Sequence, residues 1–207
     1  VILERLRTGA GEKGVHVTLS NGSSFFVPAD AVLSLGLLEG MEIGEELYYA
    51  LEREAAYLSA WEKALDLLAR RDHSRFELSG KLRKRDYPES AVERVLGKLE
   101  ALHYVDDKRF ARLWVESRMS KKPEGRAKLL SGLSARGVDR IVAREAVETC
   151  FSEEDEDKAL ERAVARLASK SSVSPRSAAA SLIRKGFSGA KVFRIIEKFF
   201  GSGEGLH

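Results

Sequence analysis

The chain has 207 residues, 43% of them hydrophobic and 32% charged, which suits one or two folded domains. No apolar run approaches the roughly 18 residues of a membrane span, and no signal-peptide pattern is present, so the expected class is a soluble cytoplasmic protein. The formal net charge of +3 divides unevenly: residues 1–59 carry 4 basic and 9 acidic residues (net −5) and residues 60–207 carry 31 and 23 (net +8), which points the later part toward a polyanionic partner.

In the opening segment, "GVHVTLSNGSSFFVP" places β-formers on both sides of Asn21-Gly22. That dipeptide predicts a two-residue type I′ hairpin pairing Val17 with Phe26 and Thr18 with Phe25. "VILERLR" offers a third strand, "ADAVLSLG" a short helix stopped by Gly36, and an apolar-periodic helix is expected from about Glu45 to Ala56. Residues 1–58 therefore read as an N-terminal β-hairpin plus helix extension. From Ser59 no strand signal remains. Three short helices are expected over 59–105, three over 106–152 (106–120, 124–136, 139–151), and three over 153–207 (154–169, 174–185, 188–200) before a tail.

The helical part repeats one instruction. "LRKRDYPESAVERVL" (82–96) recurs in pattern as "LSARGVDRIVAREAV" (133–147) and "LIRKGFSGAKVFRII" (182–196). Each copy opens with a leucine in the last turn of a second helix, then places Arg or Lys where it complements the negative helix terminus. Gly137 and Gly186 occupy the position where the chain turns left-handed; Asp86 stands there in the first copy. Tyr87, Val138 and Phe187 pack back on the ending helix, and Asp139 and Ser188 can cap the third helix, whereas Pro88 suits a first helical turn. Asp106 is the expected cap of the next module, with Asp107 favouring the positive helix start and Phe110 anchoring the helix in the core. A fifty-residue module has a marginal core alone, and three in tandem cover one another. The expected fold is mainly α: three tandem three-helix modules in an elongated, curved array, preceded by the small extension.

No catalytic constellation is present. His16, His73, His103 and His207 lack metal-ligand spacing, and a single cysteine does not complete a zinc site. There is neither a phosphate-binding Gly-Lys-Ser/Thr loop nor a Gly-x-Ser-x-Gly elbow. No cofactor, no metal and no enzymatic activity are expected. "EEDEDKALE" (153–161) reads as an acidic helix start, and Cys150, Trp61 and Trp114 as packing residues. Contact candidates are the basic clusters Arg70-Arg71, Arg83-Lys84-Arg85, Lys121-Lys122 with Arg126 and Lys128, and Arg184-Lys185 with Lys191 and Arg194. Each also suits a helix end; as a repeated set they fit salt-sensitive, sequence-nonspecific phosphate contacts.

"LLARRDHSRFELSGKL" (67–82), "VDDKRFARLWVESR" (105–118), "GRAKLLSGLSARGV" (125–138) and "LIRKGFS" (182–188) together resemble the RecX family, regulators of the RecA recombinase. The Asp106-Asp107 to Phe110-Ala111 junction is the most specific piece, the resemblance covers roughly 60–200, and Asp86 and "HYV" (103–105) depart from the pattern. It implies a cytoplasmic monomer that binds along the RecA–DNA filament and inhibits its ATPase, strand-exchange and co-protease activities, in recombination and the SOS response. Direct binding of single- or double-stranded DNA is also implied, with no membrane partner. The alternative is a sequence-nonspecific DNA-binding protein built of helix-turn-helix-like modules, although "SRFELSGK", "PEGRAKLL" and "SPRSAAAS" share no base-reading set.

Overall fold

The computed structural model describes residues 1–8, 13–168 and 173–200; the tail at 201–207, His207 included, lies outside the described residues. Two compact units divide the chain, one of residues 1–72 and 77–105, the other of residues 73–76 and 106 onward.

The first unit opens with strands β1 (Leu3–Arg7), β2 (Gly14–Leu19) and β3 (Ser24–Pro28) in an antiparallel sheet of that order. The hairpin register differs from the one expected. Val17 faces Phe25 and Thr18 faces Ser24, one residue displaced. The cause is the turn. Type I′ needs positive φ at both Asn21 and Gly22, but of the two only Gly22 has it (φ 84), so three residues, Ser20 to Gly22, form the loop, closed by Leu19 and Ser23. Because side chains alternate, the slip exchanges the two phenylalanines. Phe25 shares the inner face with Val15, Val17 and Val27 and meets Tyr48 edge-on at 5.2 Å; Phe26 lies with His16 on the outer face, ring centroids 4.6 Å apart.

Helix α1 (Ala29–Ser34) ends before Gly36, whose φ is 62, as its turn chemistry requires. Helix α2 (Glu45–Leu68) is longer than expected: one continuous element of 24 residues takes the place of a helix ending near Ala56 and another starting near Ser59. No Gly or Pro interrupts 45–68, so nothing breaks the backbone there. Its first half closes the sheet core with Leu51; its second half supplies Ala60, Ala64 and Leu67 to a second core with α3 (Arg75–Arg83) and α4 (Glu89–Ala101).

The second unit contains α5 (Asp107–Lys121), α6 (Arg126–Ser134) and α7 (Arg140–Cys150), then α8 (Glu153–Ala168), α9 (Pro175–Arg184) and α10 (Gly189–Phe200). Both triplets share one apolar core running from Phe110 to Ile196. Leu82, Leu133 and Leu182, which open the three repeat copies, are each fully buried. The third-helix stripe holds at Val92, Ala143 and Val192 and at Leu96, Val147 and Ile196, all buried; its last position grades from buried Leu99 through half-buried Cys150 to Phe199, 45% exposed. Asp106 accepts the amides of Lys108 and Arg109, Asp139 those of Ile141 and Val142, and Ser188 that of Lys191, so these three caps form as their residue types dictate.

Candidate functional site

The repeated turns determine where the basic residues go. Asp86, Gly137 and Gly186 have φ of 61, 70 and 88, so all three copies turn left-handed. The two glycines do more than turn. A Cβ at Gly137 would overlap the Cβ of Phe76, and one at Gly186 would overlap the backbone nitrogen of Lys128 and come within 2.6 Å of its Cβ. Each glycine turn therefore docks against the first turn of the second helix of the module before it. Ser74 Oγ donates to the Arg136 carbonyl at 2.6 Å, and the amide of Gly125, the repeat equivalent of Ser74, donates to the carbonyl of Lys185 at 2.9 Å. The Ala127 amide adds a bond to the Gly186 carbonyl at 3.2 Å. Asp86 is exposed and belongs to the first copy, which has no module before it. There the left-handed geometry is met by a residue with a side chain, and the departure from glycine costs local strain.

Docking at Gly186 builds a cationic seam. It brings Arg184 and Lys185 from the end of α9 onto the start of α6, where Lys128 projects, three residues after Gly125. Lys121 and Lys122 precede the same junction at the end of α5. Lys121, Lys122, Lys128 and Arg184 are exposed and Lys185 is half-buried, and among the described residues none of these five forms an ion pair. Five cations without internal counterions leave a local field for an anionic partner.

Other candidates are held by the protein itself. Arg126 and Lys191 converge on Glu156, a carboxylate only 5% exposed. Glu156 accepts the Arg126 amide at 3.2 Å, lies 3.6 Å from Arg126 Nε and 3.1 Å from Lys191 Nζ, and Asp157 meets the same ammonium at 2.8 Å. The hydrogen bond to Asp157 and the two nearby carboxylates raise the Lys191 pKa. The acidic start of α8 is thus a lock between the second and third modules as well as a helix terminus. Arg71 pairs with Glu77 at 2.8 Å and Arg70 approaches Asp66 at 3.4 Å. Arg83 is hydrogen-bonded to Glu89, holding that carboxyl below its ordinary pKa, and lies 3.6 Å from Glu93. Arg85 donates to the carbonyl of Lys81 at 2.7 Å, as Arg136 does to that of Gly132, so both arginines cap the helix they end. Lys84 and Arg194 are exposed.

Reading the residues by type missed the partners of three groups. Ser74 and Gly125 carry the docking bonds, and Asp107, beyond favouring its helix start, accepts the amide of Arg75 at 2.8 Å. The available signal was the repeat period, which makes 125 the equivalent of 74. Cys150 donates to Glu116 at 3.9 Å, and burial followed by that carboxylate pushes its thiol pKa up, the opposite of what an activated thiolate needs.

Residues 60–99 match the family profile described as RecX, first three-helix domain, and residues 106–147 the one described as RecX, second three-helix domain. The chain is 35% identical over 133 residues to regulatory protein RecX of Treponema pallidum (strain Nichols), spanning 64% of this chain and 80% of the relative. It is 34% identical over 152 residues to that of Amycolatopsis mediterranei (strain U-32), spanning 72% and 87%. A crystal structure of regulatory protein RecX shares the fold, with a TM-score of 0.78 at 21% identity over 95% of this chain and 98% of that one.

Proposed function

The chain belongs to the RecX family, and on that footing we propose that it regulates the RecA recombinase by binding along the RecA–DNA filament and slowing its ATP turnover, strand exchange and co-protease activity. It acts by occupying a surface, as a cytoplasmic monomer and without catalysis. The observation that carries the reading is the seam of Lys121, Lys122, Lys128, Arg184 and Lys185, whose charges are not spent on internal pairs. Such a surface suits phosphates or an acidic protein groove. The helix-turn-helix alternative is disfavoured, because the turns at Gly137 and Gly186 pack on neighbouring backbone or side-chain atoms.

The test is charge reversal of the five seam residues to Glu, which takes the formal net charge from +3 to −7 at two units per substitution. Lys191 is left intact, since a glutamate there would face Glu156 and Asp157. Folding is expected to survive, each surface change altering stability by about 0.5 kcal/mol. Inhibition of RecA ATP hydrolysis should be lost, and the slope of log affinity for DNA against log salt should shrink by about 4 if all five residues meet phosphates. Wild-type protein that binds DNA but leaves RecA hydrolysis unchanged at every ratio would refute the regulator reading and favour the plain DNA-binding one.

A further inference from the structure

The first unit holds a groove of about 900 Å³ between the outer face of the sheet, α2 and α4. Its construction is specific. Gly14 lets the sheet approach the helix, because a Cβ there would come within 2.8 Å of Leu58 and of the Phe26 ring. One wall is the His16–Phe26 stack, which the one-residue register places on the outer face. Trp61, half-buried, and Tyr57 also line it, their ring centroids 6.4 Å apart. Two cations from α4 lie over these rings: the Arg94 guanidinium 3.9 Å above Tyr57, and Lys98 Nζ 5.1 Å from the Trp61 centroid. Arg94 is also fixed by Glu54 at 2.6 Å, which presents its plane as a further platform. Lys13 and the carboxylates of Asp30 and Glu62 also line the groove.

We propose that this groove binds a nucleobase carrying a phosphate, either as an unpaired residue of a single strand or as a free nucleotide. The aromatic and guanidinium planes stack on the base, Lys98 faces the phosphate, and the carboxylates accept hydrogen bonds from exocyclic amino groups of the base. With Arg94 paired to Glu54, Lys13 and Lys98 are matched by the carboxylates of Asp30 and Glu62, a balance that argues for reading a base edge over tracking a backbone and separates this groove from the cationic seam. A duplex is excluded, since its base faces are stacked and unavailable.

The full chain is titrated with a labelled eight-nucleotide single strand, an abasic strand of equal length, the corresponding duplex and a mononucleotide. Stacking of one base predicts about a tenfold preference for the base-bearing strand over the abasic one. His16→Ala with Lys98→Glu, both at exposed positions, should remove that preference while the seam reversal weakens both strands alike. A mononucleotide bound as tightly as the strand assigns the groove to free nucleotide; a tighter strand assigns it to unpaired residues. Equal affinity for base-bearing and abasic strands, or a preference that survives the double variant, overturns the proposal. Should the double variant fail to fold, tryptophan quenching of the wild-type protein decides: base-bearing strands must quench and abasic strands must not.

Discussion

Gly186→Ala tests the docking contact that builds the seam. Two costs arise at one atom. The residue holds a φ of 88, where an alanine is strained by about 1–2 kcal/mol. The added Cβ also collides with the backbone nitrogen of Lys128, which belongs to the first turn of α6 and cannot rotate away as a side chain would. Relief means separating the turn from α6, which removes the 2.9 Å bond from Gly125 to Lys185 and the 3.2 Å bond from Ala127 to Gly186. At about 0.5–1.5 kcal/mol each, these bring the total to about 2–5 kcal/mol. Urea unfolding followed by circular dichroism gives the loss in stability, and hydrogen exchange at the Gly125 and Ala127 amides gives its location. Those two amides should lose protection before the helices do. A cost near 1 kcal/mol with both amides still protected would mean that the glycine serves only as a turn residue, and the docking argument would fail.

Asp86→Gly should raise the midpoint of thermal unfolding, with relief of up to about 1 kcal/mol, because Asp86 is exposed and holds a φ of 61; a drop would show that its side chain contributes more than the strain it bears. Asp106→Ala should cost about 1 kcal/mol in urea unfolding, since two amides at the start of α5 lose their acceptor, and Asp106→Asn should recover most of it. Lys191→Gln should cost about 2–3 kcal/mol, less than a fully orphaned buried charge because Arg126 remains beside Glu156. Lys191 also sets an alkaline dependence. Its pKa in the folded state is raised above the ordinary 10.5, so its contribution is complete below that pH and is lost as pH rises through the folded value. Wild-type stability should fall more steeply than that of Lys191→Gln above about pH 10.5, and parallel pH profiles would contradict the pairing.

Much of the architecture was legible because it rests on local rules. Leucine at 82, 133 and 182 and apolar returns three and four residues apart dictate buried helix faces wherever the helices later pack. Caps at Asp106, Asp139 and Ser188 and the left-handed turns follow from residue type alone, since the atoms they satisfy lie within a few residues. Family membership was legible for the same reason, being carried by contiguous motifs. The hairpin register was not, because Asn21-Gly22 permits both a two-residue and a three-residue loop, and packing of Val17 and Phe25 against the sheet core accompanies the latter. Nor was the sorting of the basic residues. Lys191 and Lys185 look alike in sequence, yet one meets Glu156, 35 residues away in the chain, and the other forms no ion pair among the described residues. Charge at a surface depends on what lies within a few ångströms, and only the tertiary fold brings the acidic start of α8 to Arg126 and Lys191 while leaving Lys128, Arg184 and Lys185 without an ion pair among the described residues.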